Sequence, residues 1–154
     1  MSAESLIHCI YASAESRRLS QDDLDSILKQ SRRNNARLGI TGILLYAEGS
    51  FFQVLGGAPE AVDTLYKTIA ADPRHCKVTQ IIREPIAKRV FQDWTMGYSS
   101  LTKAELRNID GLNDFFDAAT CFTELDPGRA KRLLNAFIAG RWHERVVHPL
   151  PNAA

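Results

Sequence analysis

The order of strand-like and helix-like runs constrains this chain more than any single motif. "ITGILLY" (40–46) and "FFQVL" (51–55) are apolar, β-prone runs separated only by "AEGS" (47–50), the length of a hairpin turn. The runs on either side of this pair are each set off from it by a stretch of helical period. "LIHCIYAS" (6–13) is followed by Leu24, Ile27, Leu28, Ser31 and Asn35 at spacings of three and four, one stripe of a helix. Ser20 opens that helix, with Asp22 and Asp23 in its first turn where the macrodipole favours carboxylates, and Gly39 closes it. After "GGAPE", Val62, Leu65 and Ile69 mark the inner face of a second helix. Pro73 stops it by biasing Asp72 away from helical backbone. "KVTQIIREPI" (77–86) reads as a fourth strand and "WTMGYSS" (94–100) as a fifth.

That order, β-α-β-β-α-β plus a fifth strand, predicts an α+β, ferredoxin-like split βαβ domain with two helices on one face of a mixed sheet. From about residue 101 the character becomes helical, in "TKAELRNIDGLNDFFDAA" and "DPGRAKRLLNAFIAGRW". Asp126 caps the second segment and Pro127 takes its first position. The chain therefore divides into a domain over 1–100 and a helical extension over 101–154, two helices and a frayed tail "HPLPNAA". Leu133, Leu134, Phe137 and Ile138 give the last helix an apolar side, expected to seal the uncovered face of the sheet, with association at its edges.

Composition excludes several classes. Nineteen Lys plus Arg against 18 Asp plus Glu, scattered along the chain, carry no signature of a nucleic-acid partner. Cys9, Cys76 and Cys121 are odd in number and lack a CxxC pair, which suits a reducing cytoplasm and neither a disulfide framework nor a zinc site. "MSAES" does not resemble a secretory signal, and no run is long enough to span a bilayer, so a soluble cytoplasmic protein is expected.

Three polar groups fall on inner faces. Tyr11 alternates with Ile7 and Cys9, Asn35 continues the apolar stripe of the first helix, and Gln53 sits between Phe51 and Leu55. Strands 1 and 3 are neighbours in a split βαβ sheet, so Tyr11 and Gln53 can touch. Each group alone is more ordinarily a satisfied core hydrogen bond, and Asn35 also suits a helix end. Convergence on one slot is compatible with a structural cluster and with a bound polar ligand alike.

The stretches "YAS", "NNARLGITGILLY", "GSFFQVLGG", "DPRH" and "FQDWTM", in this order and spacing over roughly residues 5–100, resemble the BLUF family of flavin-based blue-light sensors. The resemblance implies FAD between the two helices, with FMN or riboflavin as alternatives. It implies that Tyr11 is the photoactive tyrosine, that Gln53 lies between it and the flavin ring, and that Asn35 and Asn34 contact the ring. Ser13 matches the serine two residues after the tyrosine. Ile27 and Ile69 match the aliphatic residues on the two ring faces, and Asp72 and His75 lie near the ring and ribityl chain. Trp94 and Met96 match the mobile pair of strand 5. Excited flavin would oxidise Tyr11, Gln53 would return rotated or as another tautomer, and strand 5 would carry the change to the C-terminal helices. The C-terminal segment resembles the short sensors of the family, which implies no enzymatic activity, a protein partner and a homo-oligomer. One departure stands out: Gly56 occupies the position where such chains commonly carry Glu.

Two other classes share the fold. A small ferredoxin-like enzyme, an acyl phosphate hydrolase or a cofactor-free oxygenase, would draft His8, His75, Asn35 and Arg74, but no nucleophile–base spacing supports it. An RNA-binding module would display aromatics amid basic surroundings, against the neutral charge balance. A flavin spectrum separates the first reading from both.

Overall fold

A computed structural model describes residues 5–47, 49–88, 97–107, 109, 112 and 122–138. Its elements are β1 (Leu6–Glu15), α1 (Gln21–Leu38), β2 (Thr41–Ala47), β3 (Ser50–Gly57), α2 (Pro59–Ala70), β4 (His75–Ile86), β5 (Gly97–Ser100), α3 (Lys103–Arg107), a 3-10 turn (Phe122–Glu124) and α4 (Pro127–Ile138). β1 runs two residues beyond the sequence reading and β4 starts two residues earlier. Of the expected fifth strand, residues 94–96 lie outside the described residues, as do 113–119 of the first C-terminal segment and the tail after 138.

The strands form one sheet in the order β4-β1-β3-β2-β5. The first four are antiparallel neighbours, and β5 joins β2 in parallel. This is the predicted split βαβ sheet with its added strand. Ala47 pairs with Ser50 across the β2–β3 hairpin, and Gly49 takes the left-handed conformation (φ 76°) that such tight turns require.

α1 begins with a capping box in which Ser20 and Asp23 satisfy each other's backbone amides. It ends at Gly39 (φ 70°), where the amides of Gly39 and Ile40 both donate to the Asn35 carbonyl. A second box joins Thr102 and Glu105 at the start of α3. Asp126 caps α4 by accepting from the Arg129 amide at 2.8 Å.

The strand alternation divides the interior into two layers. On one face Ile7, Cys9, Tyr11, Leu44, Phe51 and Leu55 pack beneath Leu24, Ile27 and Leu28 of α1 and Val62 and Leu65 of α2. On the other, Ile10, Ala12, Ile43, Leu45, Phe52 and Val54 pack against Leu106, Phe122, Leu125, Ala130, Leu133, Leu134 and Phe137. α4 thus seals the second face as expected, with one correction. Ile138 is 46% exposed and stands outside the seal, because it falls on the solvent side of the helix.

β4 departs from regular pairing. Ile10 faces Ile82 and Tyr11 faces Gln80, so Ile81 is an extra residue bulged from β4. Both Ile81 and Ile82 consequently meet the α4-side core. A second irregularity, near Lys77 (φ 53°), shifts the register again before Ala14 meets Cys76.

Candidate functional site

β1 and β3 place Tyr11 directly opposite Gln53, and β2 places Leu44 on the other side of Gln53. All three residues point toward the α1/α2 layer. There they floor a cleft between the two helices, open to solvent at its mouth. α1 contributes Ile27, Gln30, Ser31, Asn34 and Asn35, α2 contributes Leu65, Thr68 and Ile69, and Asp72, Arg74 and His75 close one end. Tyr11, Asn35 and Gln53 are buried, at 1%, 0% and 3% exposure.

The chemistry of the lining is divided. Ile27, Leu44, Leu65 and Ile69 are aliphatic, whereas Asn34, Asn35, Gln53 and Arg74 supply amide and guanidinium groups. A flat heteroaromatic with apolar faces and a polar carbonyl–imide edge needs this combination of aliphatic walls and a few placed polar groups. The residues therefore fit a flavin ring. Among the described residues no cluster of His, Cys, Asp and Glu could hold a metal ion.

Local bonds set the protonation states. Burial pushes the Tyr11 phenol well above its ordinary value of 10, so it is neutral across the physiological range. His75 stacks edge-on to Phe51 with ring centroids 5.0 Å apart, and its Nδ1 lies 3.0 Å from Ser13 Oγ. Burial lowers the His75 pKa, against the opposing pull of the Asp72 carboxylate. Arg74 donates to both oxygens of Asp72 and, through Nη2, to Gln30 Oε1 at 2.6 Å, tying the start of β4 to α1 across the cleft. Arg74 in turn holds the Asp72 carboxyl below its ordinary range.

Of the residues singled out in the sequence, Tyr11, Ile27, Asn34, Asn35, Gln53, Ile69, Asp72 and His75 come together around this cleft. Ser13 does not line it but bonds His75, which does. Trp94 and Met96 lie outside the described residues. Gln30, Ser31, Leu44, Leu65, Thr68 and Arg74 also line the cleft and were not among the expected site residues. Helical spacing holds a signal for four of them: Gln30, Ser31, Leu65 and Thr68 flank Ile27, Asn34 and Ile69 at one, three or four residues. Arg74 lies within the quoted stretch "DPRH", between Asp72 and His75.

Fold and cleft together define a small α+β receptor for a planar aromatic cofactor, and comparison with known proteins narrows the class. Residues 6–97 match BLUF, described as sensors of blue-light using FAD. The photoactivated adenylate cyclase subunit beta of Euglena gracilis is 37% identical over 131 residues, covering 82% of this chain and 15% of that protein. The chain thus spans about 15% of the length of that relative. The dark-state structure of BlrB, a BLUF protein, is 34% identical with a TM-score of 0.68, covering 88% of this chain and 97% of BlrB. The ground state of BlsA is 26% identical with a TM-score of 0.72, covering 97% and 94%. The chain belongs to the BLUF family. Its residues 6–97 are those of a flavin-based blue-light sensor.

Proposed function

We propose that the cleft between α1 and α2 holds FAD and that Tyr11 and Gln53 are the residues through which light acts. The observation that carries this is the direct cross-strand pairing of a buried phenol with a buried carboxamide at the floor of the cleft, beside Asn35. The flavin, when bound, absorbs blue light and draws an electron from a neighbouring donor. Tyr11 is that donor, and its proton is still in place because burial disfavours the phenolate. Gln53 carries a donor and an acceptor on one group, so it could relay the proton out and back and, once electron and proton have returned to Tyr11, settle rotated or as the other tautomer. Asn34 and Asn35 would hold the polar edge of the ring, Ile27 and Ile69 would pack its faces, and Asp72 and His75 would lie toward the ribityl side. Ser13 acts through its bond to His75.

Residues 1–100 form the flavin-binding part, and 101–154 form an extension that presents the signal to a protein partner. Trp94 and Met96 relay it along β5. The protein works in the cytoplasm as a homo-oligomer. No helix of the described residues is long and apolar enough to cross a membrane. The light-regulated cyclases among the relatives support an effector as the partner class.

The test is spectroscopic. Purified protein is yellow, its released chromophore co-elutes with FAD, and blue light shifts the absorption slightly to the red. Tyr11→Phe and Gln53→Leu bind flavin but lose the shift. Retention of a normal shift in either variant overturns the assignment, and a chromophore eluting as FMN or riboflavin overturns the choice of FAD.

A further inference from the structure

Gln53 approaches Tyr11 from β3, and a second aromatic residue meets it from the opposite side. Tyr66 of α2 stands with its ring centroid 5.5 Å from that of Tyr11 and an interplanar angle of 74°, an edge-to-face pair. Unlike Tyr11, Tyr66 is only partly buried. Gln80 faces Tyr11 only because Ile81 is bulged out of the ladder; regular pairing would have put Ile81 there. The Gln80 side chain is occupied, with its Oε1 3.7 Å from the Cys9 thiol. Bulge and aromatic wall therefore converge on one phenol, and bulges beside functional sites commonly re-aim a side chain in this way.

We propose that Tyr66 is a positioning residue for Tyr11. Its ring fixes the orientation of the phenol, so that the hydroxyl is presented to Gln53. The inference rests on the photochemical reading of Tyr11 given above, and it assigns a role to a residue outside the cleft lining. A phenol free to rock about its side-chain bonds would spend less time in the hydrogen-bonding geometry that electron and proton transfer need, and misplacement of a reacting group is expensive in rate.

The experiment uses flavin-loaded full chain carrying isotope-labelled tyrosine; with four tyrosines in the sequence, the aromatic spectrum is simple. In protein kept dark, the two sides of the Tyr11 ring give separate signals because the restrained ring flips slowly. Tyr66→Phe keeps them separate, whereas Tyr66→Leu merges them. Under illumination the quantum yield of the red shift falls about tenfold in Tyr66→Leu and stays within about twofold of wild type in Tyr66→Phe. Should Tyr66→Leu fail to fold, Tyr66→Met supplies the same two readouts with an unbranched side chain. Unchanged Tyr11 signals and an unchanged yield in the aliphatic variant overturn the proposal, as does an equal loss in Tyr66→Phe and Tyr66→Leu. If wild type itself shows no red shift, the photochemical reading fails while the dark spectra still decide whether Tyr66 orients Tyr11.

Discussion

His75 illustrates how one side chain at the edge of the cleft ties acid stability to the site. It is enclosed by Ser13, Phe51 and the Asp72–Arg74 pair, and burial keeps its folded pKa below the ordinary 6.5. The unfolded chain therefore takes up a proton that the folded chain refuses, and stability falls as pH drops below about 6.5, toward the folded value. Asp72 acts in a separate window. Its carboxyl is held below the ordinary 3.8 by Arg74, so its contribution is present above that value and is lost only as pH falls through the lower folded one. Urea midpoints across this range should decline in two stages, and His75→Gln should flatten the first stage while leaving the second. A variant that declines like wild type from neutrality downward would show that His75 does not titrate as its surroundings require.

At the scale of elements, the glycines of the β2–β3 hairpin differ sharply. A Cβ on Gly42 would drive into the Val54 carbonyl oxygen of the paired strand. One on Gly56 would meet nothing nearer than the Thr41 carbonyl at 3.7 Å, an ordinary contact, and Gly56 is not among the positive-φ glycines. Gly42→Ala should therefore lose more than about 2 kcal/mol of unfolding free energy. Gly56→Ala should be neutral or stabilising by up to about 1 kcal/mol, since it only restricts the unfolded chain. Denaturant midpoints of the two variants check both; similar values for the pair would contradict the packing. Packing therefore does not require a glycine at position 56, and Gly56 is not among the residues lining the cleft. Much of this was legible in the sequence because it is local. Ser20, Asp23 and Gly39 bound α1 through bonds within one turn, and the strict alternation of β1 and β3 placed Tyr11 and Gln53 on one face before their pairing was seen. What was illegible depends on partners far along the chain. The bulge at Ile81 reverses the facing of β4, and no propensity signals it, because it exists only relative to β1. Arg74 reaches Gln30 across 44 positions, a bond that its own neighbourhood does not announce.

Over the whole molecule, the sheet has two working faces, and the same two strands serve both. β1 and β3 direct Tyr11 and Gln53 into the cleft, while the intervening Ile10, Ala12, Phe52 and Val54 support the C-terminal layer. Phe52 meets Phe122 with ring centroids 5.8 Å apart, and the Phe122 amide donates to Ser50 Oγ at 3.3 Å, so the 3-10 turn before α4 is bonded to the strand that carries Gln53. Lys131 of α4 reaches Glu84, which also takes His8 at 2.8 Å, fastening the helix to β4 and β1. Phe137 is fully buried in this layer and Ile138 is not. Phe137→Ala should cost about 3–5 kcal/mol, and Ile138→Ala within about 0.5 kcal/mol. Denaturant unfolding measures both, and comparable losses would remove the helix from the core. A backbone that moves at Gln53 must carry Phe52 and Val54 with it, since close-packed side chains transmit displacement instead of absorbing it. Amide hydrogen exchange compared in dark and light should therefore change within 122–138, although these residues lie on the sheet face opposite the cleft. Gln53→Leu should remove the difference while leaving the dark pattern intact. If illumination alters exchange around the cleft but leaves 122–138 at its dark values, the signal does not pass through the sheet to this layer, and the output surface must be sought elsewhere on the chain.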